Sequence, residues 1–349
     1  MNVCALTTSA TAPASRFRIL QHIEPLQHHG LNVRAFCPRV SQSMPVSPRL
    51  GRIRRRYLAP LAVPWALGHA LSRTPALVAS WRSDAVWIER TIVPGLDGVV
   101  HLFGGPRVLD IDDAIWLEGI TGLSAPVLAR GVDVVIAGNK YLADWASQYC
   151  KTIHIVPTAV DAETMKPRPP REQNDRFVIG WMGSTATLPY LAAIQAPLAS
   201  VLKAIPTASL LVVANDPPTL PDLAGLPVRF VRWSPQSEVD ALMEMDVGLM
   251  PLPDDAYTRG KCSLKMLQYM AGGLPAVVSP VGMNQDLLNA GDIGLAASTP
   301  AAWIEAIHHL HSAPEARRRM GATGRSLVEQ RFDVRVVAAQ LAGIFKSLV

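Results

Sequence analysis

A group of cationic and hydroxyl side chains stands at the start of a predicted helix in the second half of the chain. The helix is predicted from Lys261 to Ala271, with Lys261, Lys265 and Gln268 on one stripe and Ser263 in its first turn. Cations near a helix N-terminus oppose the helix dipole by about 0.3–1 kcal/mol each, and a bound anion reverses that effect. The spacing therefore predicts a phosphate or diphosphate site. A solvated helix face whose lysines serve solubility is the alternative.

A second candidate site is the segment rich in glycine and hydroxyl groups that follows the predicted strand Phe177–Met182. It begins with Gly183 and Ser184, whose small size lets backbone amides approach an oxyanion. The G-x-G-x-x-G pattern of dinucleotide sites and the G-x-x-x-x-G-K-[ST] pattern of P-loops are both missing here. An oxyanion loop and a plain tight connection therefore both stay open.

Three carboxylates stand close together at the end of the predicted strand Val108–Ile111. Asp110, Asp112 and Asp113 would repel one another when buried, so some of them must be paired, protonated or functional. A general base, an acceptor of a ligand hydroxyl and a divalent-metal ligand are the functional options, with Asp112 and Asp113 as the catalytic candidates. The alternative is a helix N-cap combined with a salt bridge to an arginine.

Arginines near the N-terminus form two further candidate sites. Arg16 and Arg18 follow the first predicted strand, where guanidinium groups could bind a phosphorylated or acidic acceptor, although helix-surface arginines would look the same. A second group precedes the apolar, Trp-containing segment 57–67, a pattern that suits contact with anionic lipid. A nucleic-acid partner is not expected, because no known binding module accompanies the group. The second group consists of Arg49, Arg52, Arg54, Arg55 and Arg56.

Charge and composition limit the class of protein. Of the 349 residues 49% are apolar and 17% charged, which excludes a disordered chain and favours two domains. The formal net charge of +5 is uneven, since residues 1–60 hold nine arginines and one glutamate and so carry +8, which leaves −3 for the rest. A basic excess at one end predicts an anionic partner there, and a solubilising surface is the alternative.

Cysteine spacing and hydropathy indicate the cellular compartment in which the protein is expected. Cys4, Cys37, Cys150 and Cys262 lie far apart, without the spacing of a zinc site or a disulfide framework, which fits a reducing compartment. The first residues lack the basic and apolar regions of a signal peptide, and the three longest uncharged runs each contain two prolines. We therefore expect a cytoplasmic protein, with or without peripheral attachment to the inner face of the cytoplasmic membrane.

Short β-branched runs alternate with helical segments along most of the chain. Six strands are predicted between Val3 and Val156, with a helix over Arg16–His29 that Pro25 should kink. After a proline-rich segment the alternation restarts, and a helix is predicted over Tyr190–Ala204. The strands predicted after this segment are Phe177–Met182, Ser209–Ala214, Val228–Val231, Val247–Met250 and Ala276–Val278. Three helices should follow Pro300. Such alternation predicts an α/β fold of two Rossmann-like domains with parallel strands, whose ligands bind at the carboxyl ends of the strands.

The segment Lys261–Asn284, KCSLKMLQYMAGGLPAVVSPVGMN, resembles the donor-binding region of GT-B glycosyltransferases of the group 1 type, glycosyltransferase family 4. Residues 138–139, 156–161, 247–251 and 325–332 are also similar to that family. The resemblance implies domains at 1–165, which binds the acceptor, and at 176–330, which binds a nucleotide sugar across a central cleft. It also implies that a last helix at 331–349 crosses back, and that no metal ion is needed.

The resemblance also implies roles for single residues. Asp112 falls where many relatives have an active-site His. Relatives often carry two glutamates where this chain has Gly260 and Gln268, and an Arg and a Lys where it has Ser184, Thr185 and Thr187. The positions implied for donor binding are Gly183 and Ser184 on the phosphate loop, Arg232 and Trp233 near the base, and Lys261, Ser263 and Lys265 near the diphosphate.

The expected function is transfer of a sugar from a nucleotide-diphosphate sugar to a glycan or lipid-linked acceptor in cell-envelope polysaccharide synthesis. A hexosyl group and retention of the anomeric configuration are expected, although the missing glutamates bear on retention. Two alternatives stay open: a non-catalytic scaffold that binds nucleotide sugars in a glycan assembly system, and a GT-B sugar-nucleotide epimerase.

Overall fold

Both halves of the chain fold as parallel β-sheets covered by helices. The computed structural model describes residues 1–40, 59–167 and 176–348, with side chains of the first helix after the gap described from Pro64. The chain divides into two compact units, Met1–Thr158 with Val337–Val349 and Ala159–Val336, each with one six-stranded sheet. The predicted α/β fold with two parallel sheets is confirmed. Arg49, Arg52, Arg54, Arg55 and Arg56 lie outside the described residues.

The sheet of the first unit has the strand order β2-β1-β3-β4-β5-β6, and all its strands are parallel. The central strands are short apolar runs buried on both faces, as a sheet covered by helices on each side requires. Its strands are β1 (Asn2–Leu6), β2 (Asn32–Phe36), β3 (Ala85–Glu89), β4 (Arg107–Ile111), β5 (Val134–Ala137) and β6 (Ile153–Ile155).

The helices of the first unit differ from the prediction at Pro25. The helix expected over Arg16–His29 is wrong, because the chain forms two short helices separated by a 3-10 turn at Leu20–His22. Pro25 has no N–H group, and its ring would clash with the carbonyl of Gln21, so α geometry is interrupted before it. The helices are α1 (Pro13–Arg18), α2 (Ile23–His28), α3 (Ala59–Ser72), α4 (Thr74–Ser80), α5 (Gly119–Arg130) and α6 (Lys140–Ala146).

The sheet of the second unit has the order β12-β11-β10-β7-β8-β9, again with parallel strands. Five of its strands start and end within one residue of the predicted bounds, whereas the last one was not predicted. One core cluster, which includes Trp181, Leu198, Val212 and Trp303, packs against this sheet. The strands are β7 (Phe177–Met182), β8 (Ala208–Ala214), β9 (Val228–Arg232), β10 (Val247–Met250), β11 (Ala276–Val278) and β12 (Gly294–Ala296).

The helices of the second unit confirm the three predicted after Pro300 but not the single helix over Tyr190–Ala204. Two helices stand there, because Pro197 would clash with the carbonyl of Ala193 and the first helix ends just before that residue. The helices are α7 (Leu188–Ala192), α8 (Gln195–Ala204), α9 (Pro235–Glu244), α10 (Leu264–Ala271), α11 (Met283–Ala290), α12 (Pro300–Ser312), α13 (Pro314–Arg331) and α14 (Val334–Lys346). From Val337 onward α14 belongs to the first unit.

Backbone pairing near residue 160 explains where the second unit begins. The N–H of Val160 donates to the carbonyl of Phe332 at 2.9 Å, and that of Ala162 to a carboxylate oxygen of Asp333 at 3.2 Å. These bonds bring Ala159–Met165 into the second unit, ahead of the proline-rich segment.

Within the described ranges no single helix is long and apolar enough to cross a bilayer; α7 and α8 pass that test as a pair, bent by 64°.

Candidate functional site

The strand order of the second sheet marks a position for a ligand. From β7 the chain adds β8 and β9 on one side, then returns to place β10 on the other side of β7. Open α/β sheets bind ligands at this reversal point, outside the carboxyl ends of the strands. Gly183 and Ser184 directly follow β7, and the loop after β10 leads into α10, so both sequence-predicted donor segments flank the reversal point.

Tyr269 of α10 fixes that helix where β7 and β10 separate. The two strands pair at Gly180 and Gly248, and beyond this pair the Tyr269 hydroxyl accepts from the N–H of Met182 at 3.0 Å and donates to the carbonyl of Leu249 at 3.1 Å. A Cβ on Gly248 would lie 2.2 Å from the Tyr269 ring, so glycine is needed there. Burial raises the pKa of Tyr269 well above its usual value, which keeps the hydroxyl protonated.

The glycine- and hydroxyl-rich segment after β7 is closed by its own hydrogen bonds. The N–H of Gly183 donates to the carbonyl of Val213 at 3.0 Å, and that of Ser184 to the hydroxyl of Thr187 at 3.0 Å. A Cβ on Gly183 would lie 2.2 Å from the Trp181 ring, so this glycine permits close packing. An oxyanion loop and a plain tight connection were both predicted as possibilities here, and in this conformation the two amides are engaged within the protein.

The start of α10 also differs from the prediction. The helix begins at Leu264, so Lys261 lies in extended backbone before it, and the expected stripe of Lys261, Lys265 and Gln268 is wrong for its first member. Ser263 has a left-handed φ of 53°, is buried, and donates its hydroxyl to Asn284 Oδ1 at 2.7 Å. This left-handed conformation interrupts right-handed helical geometry at residue 263, so the helix does not extend back to Lys261.

Lys265 and Gln268 belong to a network around a buried carboxylate on α9. Glu238 is 1% exposed, and its Oε1 accepts from Gln268 Nε2 at 2.8 Å and from Trp233 Nε1 at 3.3 Å. Lys265 Nζ donates to Gln268 Oε1 at 3.0 Å and lies 3.8 Å from Glu238 Oε1. The network joins two predicted donor residues, Trp233 and Lys265, that are more than thirty positions apart in the sequence.

Other predicted donor residues lie at the same edge of the sheet with different surroundings. Arg232 ends β9, is exposed, and donates to the carbonyl of Asn215. Lys261 is half-buried, with its Nζ 4.8 Å from the centre of the Tyr257 ring. Gly260, where relatives have a glutamate, is buried in a 3-10 turn.

Sequence reasoning missed Glu238, although a signal was present. In α9 the buried positions are Glu238, Ala241 and Leu242, a spacing of i, i+3 and i+4 that defines the inward face of a helix. A carboxylate in such a stripe must find partners inside the protein, because burying it alone is costly. The position of Glu238 in this stripe could therefore have indicated that its carboxylate binds polar side chains inside the protein.

The first sheet has its own reversal point, between β1 and β3. Glu89 ends β3 there, fully buried, and accepts from the N–H of Thr8 at 2.9 Å, from the Thr8 hydroxyl at 2.7 Å and from the Ser15 hydroxyl at 2.5 Å. Burial raises the pKa of the Glu89 carboxyl, while these hydrogen bonds oppose the rise. Glu89 thus fixes the loop after β1, and sequence reasoning missed it too.

Arg18, a predicted acceptor contact, is buried next to Asp110. Its Nε donates to Asp110 Oδ1 at 2.7 Å, and its Nη1 to the carbonyl of Val156 at 3.0 Å, with 3% of the side chain exposed. Asp110 also accepts from Trp87 Nε1 at 3.1 Å. An acceptor contact by Arg18 is not supported, because the guanidinium is enclosed and neutralises Asp110. Arg16 is half-buried, 4.7 Å from the centre of the Phe17 ring.

Asp112 and Asp113 lie beside Arg90, which follows β3. Arg90 Nη2 donates to Asp113 Oδ2 at 3.2 Å, and Arg90 Nε is 3.8 Å from Asp112 Oδ1. Asp112 Oδ1 is buried and makes no hydrogen bond to the described residues. Burial raises the pKa of Asp112 to about 7, with Arg90 opposing the rise and Asp113 adding to it. A carboxyl with this pKa can exchange a proton near neutral pH, as a general base must.

The backbone of Arg90, whose side chain binds these carboxylates, is itself strained. Its φ is 62°, in the left-handed region that favours glycine, and its guanidinium also binds Glu118. Strain of this kind persists where surrounding contacts determine the conformation, and it is found most often at functional sites.

One family model matches most of the second unit. Residues 176–313 match the family model described as glycosyl transferases group 1, a range that begins one residue before β7 and includes α9 and α10. A sequence comparison with curated proteins finds no match.

Solved structures resemble the chain over its whole length. The chain aligns with sucrose-phosphate synthase from Thermosynechococcus elongatus at a TM-score of 0.75 and 16% identity, covering 100% of this chain and 99% of that one. With HepE of Anabaena in complex with UDP and glucose the TM-score is 0.70 at 14% identity, covering 100% of both chains. With WaaG, a glycosyltransferase involved in lipopolysaccharide biosynthesis, it is 0.65 at 13% identity, covering 99% of both. The chain therefore has the GT-B fold throughout, and its residues 176–313 match the family model described as glycosyl transferases group 1.

Proposed function

We propose that this protein is a glycosyltransferase that moves a sugar from a nucleoside diphosphate sugar to a hydroxyl group of a glycan or lipid-linked acceptor. The observation that carries the proposal is that the group 1 match spans the reversal point of the second sheet together with Lys261 before α10 and Lys265 within it. The HepE structures with UDP and with UDP-glucose support a uridine nucleotide and a hexosyl group for the donor.

The donor would be bound mainly by charge at the start of α10. In the transfer the acceptor oxygen bonds to the anomeric carbon, the bond from that carbon to the diphosphate oxygen breaks, and negative charge collects on the departing diphosphate. Lys261 and Lys265 would neutralise this charge, aided by the N-terminal amides of α10. Ser263 shapes the backbone there, and Gly183, Ser184, Arg232 and Trp233 would line the remainder of the donor site.

The acceptor hydroxyl would be activated in the first unit. Asp112, with its raised pKa, would accept the hydroxyl proton, and Asp113 with Arg90 would orient it. Arg16 would contact an anionic part of the acceptor. Since the lysines of the donor site carry positive charge at the diphosphate, we extend the proposal to a reaction without a metal ion.

The finer assignments belong to the same proposal. They are retention of configuration, a role in cell-envelope polysaccharide synthesis, a cytoplasmic location, and contact with an anionic membrane through Arg49, Arg52, Arg54, Arg55 and Arg56. Retention is open to test because the glutamates of relatives are replaced by Gly260 and Gln268. The same replacement favours a second candidate function, a non-catalytic scaffold that binds nucleotide sugars.

The test combines a panel of nucleotide sugars with lysine variants. Thermal shift should identify the donor, because a ligand that binds the folded state raises its stability. Isothermal calorimetry should then show UDP affinity reduced about tenfold in Lys261→Ala and again in Lys265→Ala, a loss of about 1.4 kcal/mol each. Lys203→Ala, which removes an exposed lysine of α8, is the matched control and should bind UDP normally.

The outcomes separate the candidate functions. Sugar transfer that EDTA leaves unchanged supports the proposal, and nuclear magnetic resonance of the product gives the anomeric configuration. Binding without turnover indicates the scaffold, and UDP release with free sugar in the absence of acceptor indicates an epimerase. UDP affinity equal to that of the native protein in both lysine variants would refute the diphosphate assignment.

A further inference from the structure

The topology of the first unit gathers several helices into one layer. β2 lies on one side of β1, whereas β3, β4 and β5 follow in order on the other side. Connections between parallel strands are right-handed, so those from β2 to β3, β3 to β4 and β4 to β5 all cover the same face of the sheet. This layer contains α3, α4, the 3-10 helix Asp97–Leu102 and α5.

The outer side of this layer exposes large apolar side chains. On α5, Leu123 is 77% exposed, and Ile120 and Val127 lie on the same helix face, three and four residues away. Trp81, which directly follows α4, is 70% exposed. Leu102, the last residue of the 3-10 helix Asp97–Leu102, is also exposed. Single exposed apolar residues are ordinary, but a group of them on adjacent elements marks an interaction surface.

Contacts at three glycines place Trp81 beside the segment after Leu102, and Ile120 and Val127 beside the segment from Gly95 to Gly98. A Cβ on Gly104 would lie 2.9 Å from the Trp81 ring, which connects the end of α4 to the segment after Leu102. A Cβ on Gly95 would lie 2.9 Å from the Ile120 side chain, and one on Gly98 would lie 3.8 Å from Val127. The loop around Leu96, itself exposed, therefore adjoins the outer face of α5. We call the exposed side chains of Trp81, Leu96, Leu102, Ile120, Leu123 and Val127 the apolar surface.

The charge of the same part of the chain indicates what this surface meets. Among the described residues no Asp or Glu occurs from Ala59 to Ser83, the stretch that contains α3 and α4, and Arg82 is exposed next to Trp81. α5 also lacks acidic residues and ends in the exposed Arg130. A protein partner of opposite charge could match the arginines but would not by itself call for so much exposed apolar area around a tryptophan. Anionic lipid matches both, because apolar side chains and Trp enter the interface while arginines attract the headgroups.

We propose that the apolar surface docks on a bilayer that contains anionic lipid. Trp81 would lie at headgroup level, and Ile120, Leu123 and Val127 would reach the acyl chains. This proposal rests on the lipid-linked acceptor of the proposed function and adds the surface that docks on the membrane. Its test measures vesicle binding and does not depend on sugar transfer.

Vesicle flotation of the full chain tests the proposal. Vesicles of phosphatidylcholine and phosphatidylglycerol in equal parts should bind the protein, pure phosphatidylcholine should bind it much less, and binding should fall as salt is raised. Ile120→Ser with Leu123→Ser should lower the vesicle partition coefficient about tenfold or more, because each change removes an exposed apolar side chain that would be buried in the bilayer. Ile155→Ser, which changes a 53% exposed residue of β6 away from this helical layer, is the matched control and should bind normally.

Further readouts keep the result unambiguous. Brominated lipids should quench tryptophan fluorescence in the native protein, and the quenching should drop in Trp81→Phe. UDP affinity of the serine variants should be native, which shows that the fold is intact and separates this proposal from the donor assignment. Full vesicle binding by the double serine variant would overturn the proposal. So would self-association in sedimentation that the same variant abolishes, together with no vesicle binding, since the surface would then join two copies of the chain.

Discussion

Glu238 and Gln268 place a carboxylate and a carboxamide side by side on neighbouring helices, next to Lys265. The family resemblance implies a glutamate at the position of Gln268, whereas in this chain the negative charge stands on Glu238 of α9. The charge stays within reach of Lys265, whose Nζ is 3.8 Å from Glu238 Oε1. Exchanging Glu238 and Gln268 therefore tests whether the network needs only one negative charge or needs that charge on α9.

We predict that the exchange is tolerated and that each single change is not. Gln268→Glu alone sets two buried carboxylates against each other, and Glu238→Gln alone removes the negative charge facing Lys265, so each should lose about 1–3 kcal/mol of unfolding free energy. The double variant restores one carboxylate and one carboxamide, and its loss should be smaller than that of either single variant. Urea unfolding at pH 8 of the native protein, the two single variants and the double variant gives a double-mutant cycle. A loss in the double variant equal to the sum of the two single losses would contradict the prediction.

Asp112 gives a prediction for pH. Its pKa is about 7 in the folded protein and about 4 in the unfolded chain, so between these values the folded state holds a proton that the unfolded state has lost. Its contribution to stability is therefore complete below about pH 4 and is lost as pH rises to about 7. Asp112→Asn should remove this dependence, so that its stability relative to the native protein improves by about 1 kcal/mol per pH unit across that range. Urea midpoints at several pH values measure the difference, and a constant difference would rule out the raised pKa.

If Asp112 acts as the base, transfer activity should depend on the same ionisation. kcat/KM should rise with pH through about 7, and Arg90→Gln should move this rise to higher pH, because Arg90 opposes the pKa increase. Arg90→Lys keeps the charge and is the control, whose profile should stay closer to that of the native protein. A profile that Arg90→Gln leaves in place would assign the ionisation to another group.

How far single residues were predictable depended on whether their role was local. Lys265 and Gln268 could be paired from their spacing on one helix, whereas Glu89 and Glu238 act through elements distant in sequence. Arg18 looked like a ligand contact because nothing in its neighbourhood reveals Asp110, which is 92 positions away. Long-range partners of buried charges are set by topology, and a local pattern does not contain them.

At the scale of elements, the N-terminus of α10 combines strain with a hydrogen bond. Ser263 has a φ of 53°, and its hydroxyl donates to Asn284, which in turn donates to the carbonyl of Ser279 at the end of β11. The left-handed conformation costs a non-glycine residue about 1–2 kcal/mol, so glycine would relieve it while losing the hydrogen bond. The serine is therefore expected to link the helix start to the next strand.

Two substitutions at Ser263 should separate these effects. Ser263→Ala keeps the strain and loses the bond, so it should be less stable than the native protein by about 1–2 kcal/mol. Ser263→Gly loses the bond but relieves the strain, so it should be more stable than Ser263→Ala by about 1 kcal/mol. Urea midpoints give the order, and a glycine variant less stable than the alanine variant would show that φ at this position relaxes freely.

Strands were predicted more accurately than helices, for a physical reason. The strands are β-branched runs whose burial on both faces gives an uninterrupted apolar pattern, so Phe177–Met182 and Val247–Met250 were predicted to the residue. Helices at Pro25 and Pro197 were predicted as continuous because their apolar spacing continues across the break. The i−4 clash of proline acts on the backbone and leaves that spacing unchanged.

At the scale of the whole molecule, the first unit is built from both ends of the chain. Its sheet is complete by β6, yet Val337–Val349 belongs to it as well. The alternation of strands and helices predicted two sheets and three terminal helices, whereas the return of the last helix to the first domain came from the family resemblance. Amphipathicity of α14 shows that one side is buried but does not identify the surface that covers it.

Trp87 of β3 is part of the surface that covers the buried side of α14. The ring of Phe345 on α14 lies 5.2 Å from that of Trp87 at an angle of 60°, and both side chains are fully buried. Phe345→Ala should cost about 3–5 kcal/mol, and Phe345→Leu less, because the cavity left is smaller. The loss should fall on the first unit, so hydrogen exchange measured by mass spectrometry should speed up in β1 and β3 while β8 keeps its protection. Equal acceleration in β8 would mean that the two units open together, and the C-terminal helix would then stabilise the whole chain rather than the sheet it packs on.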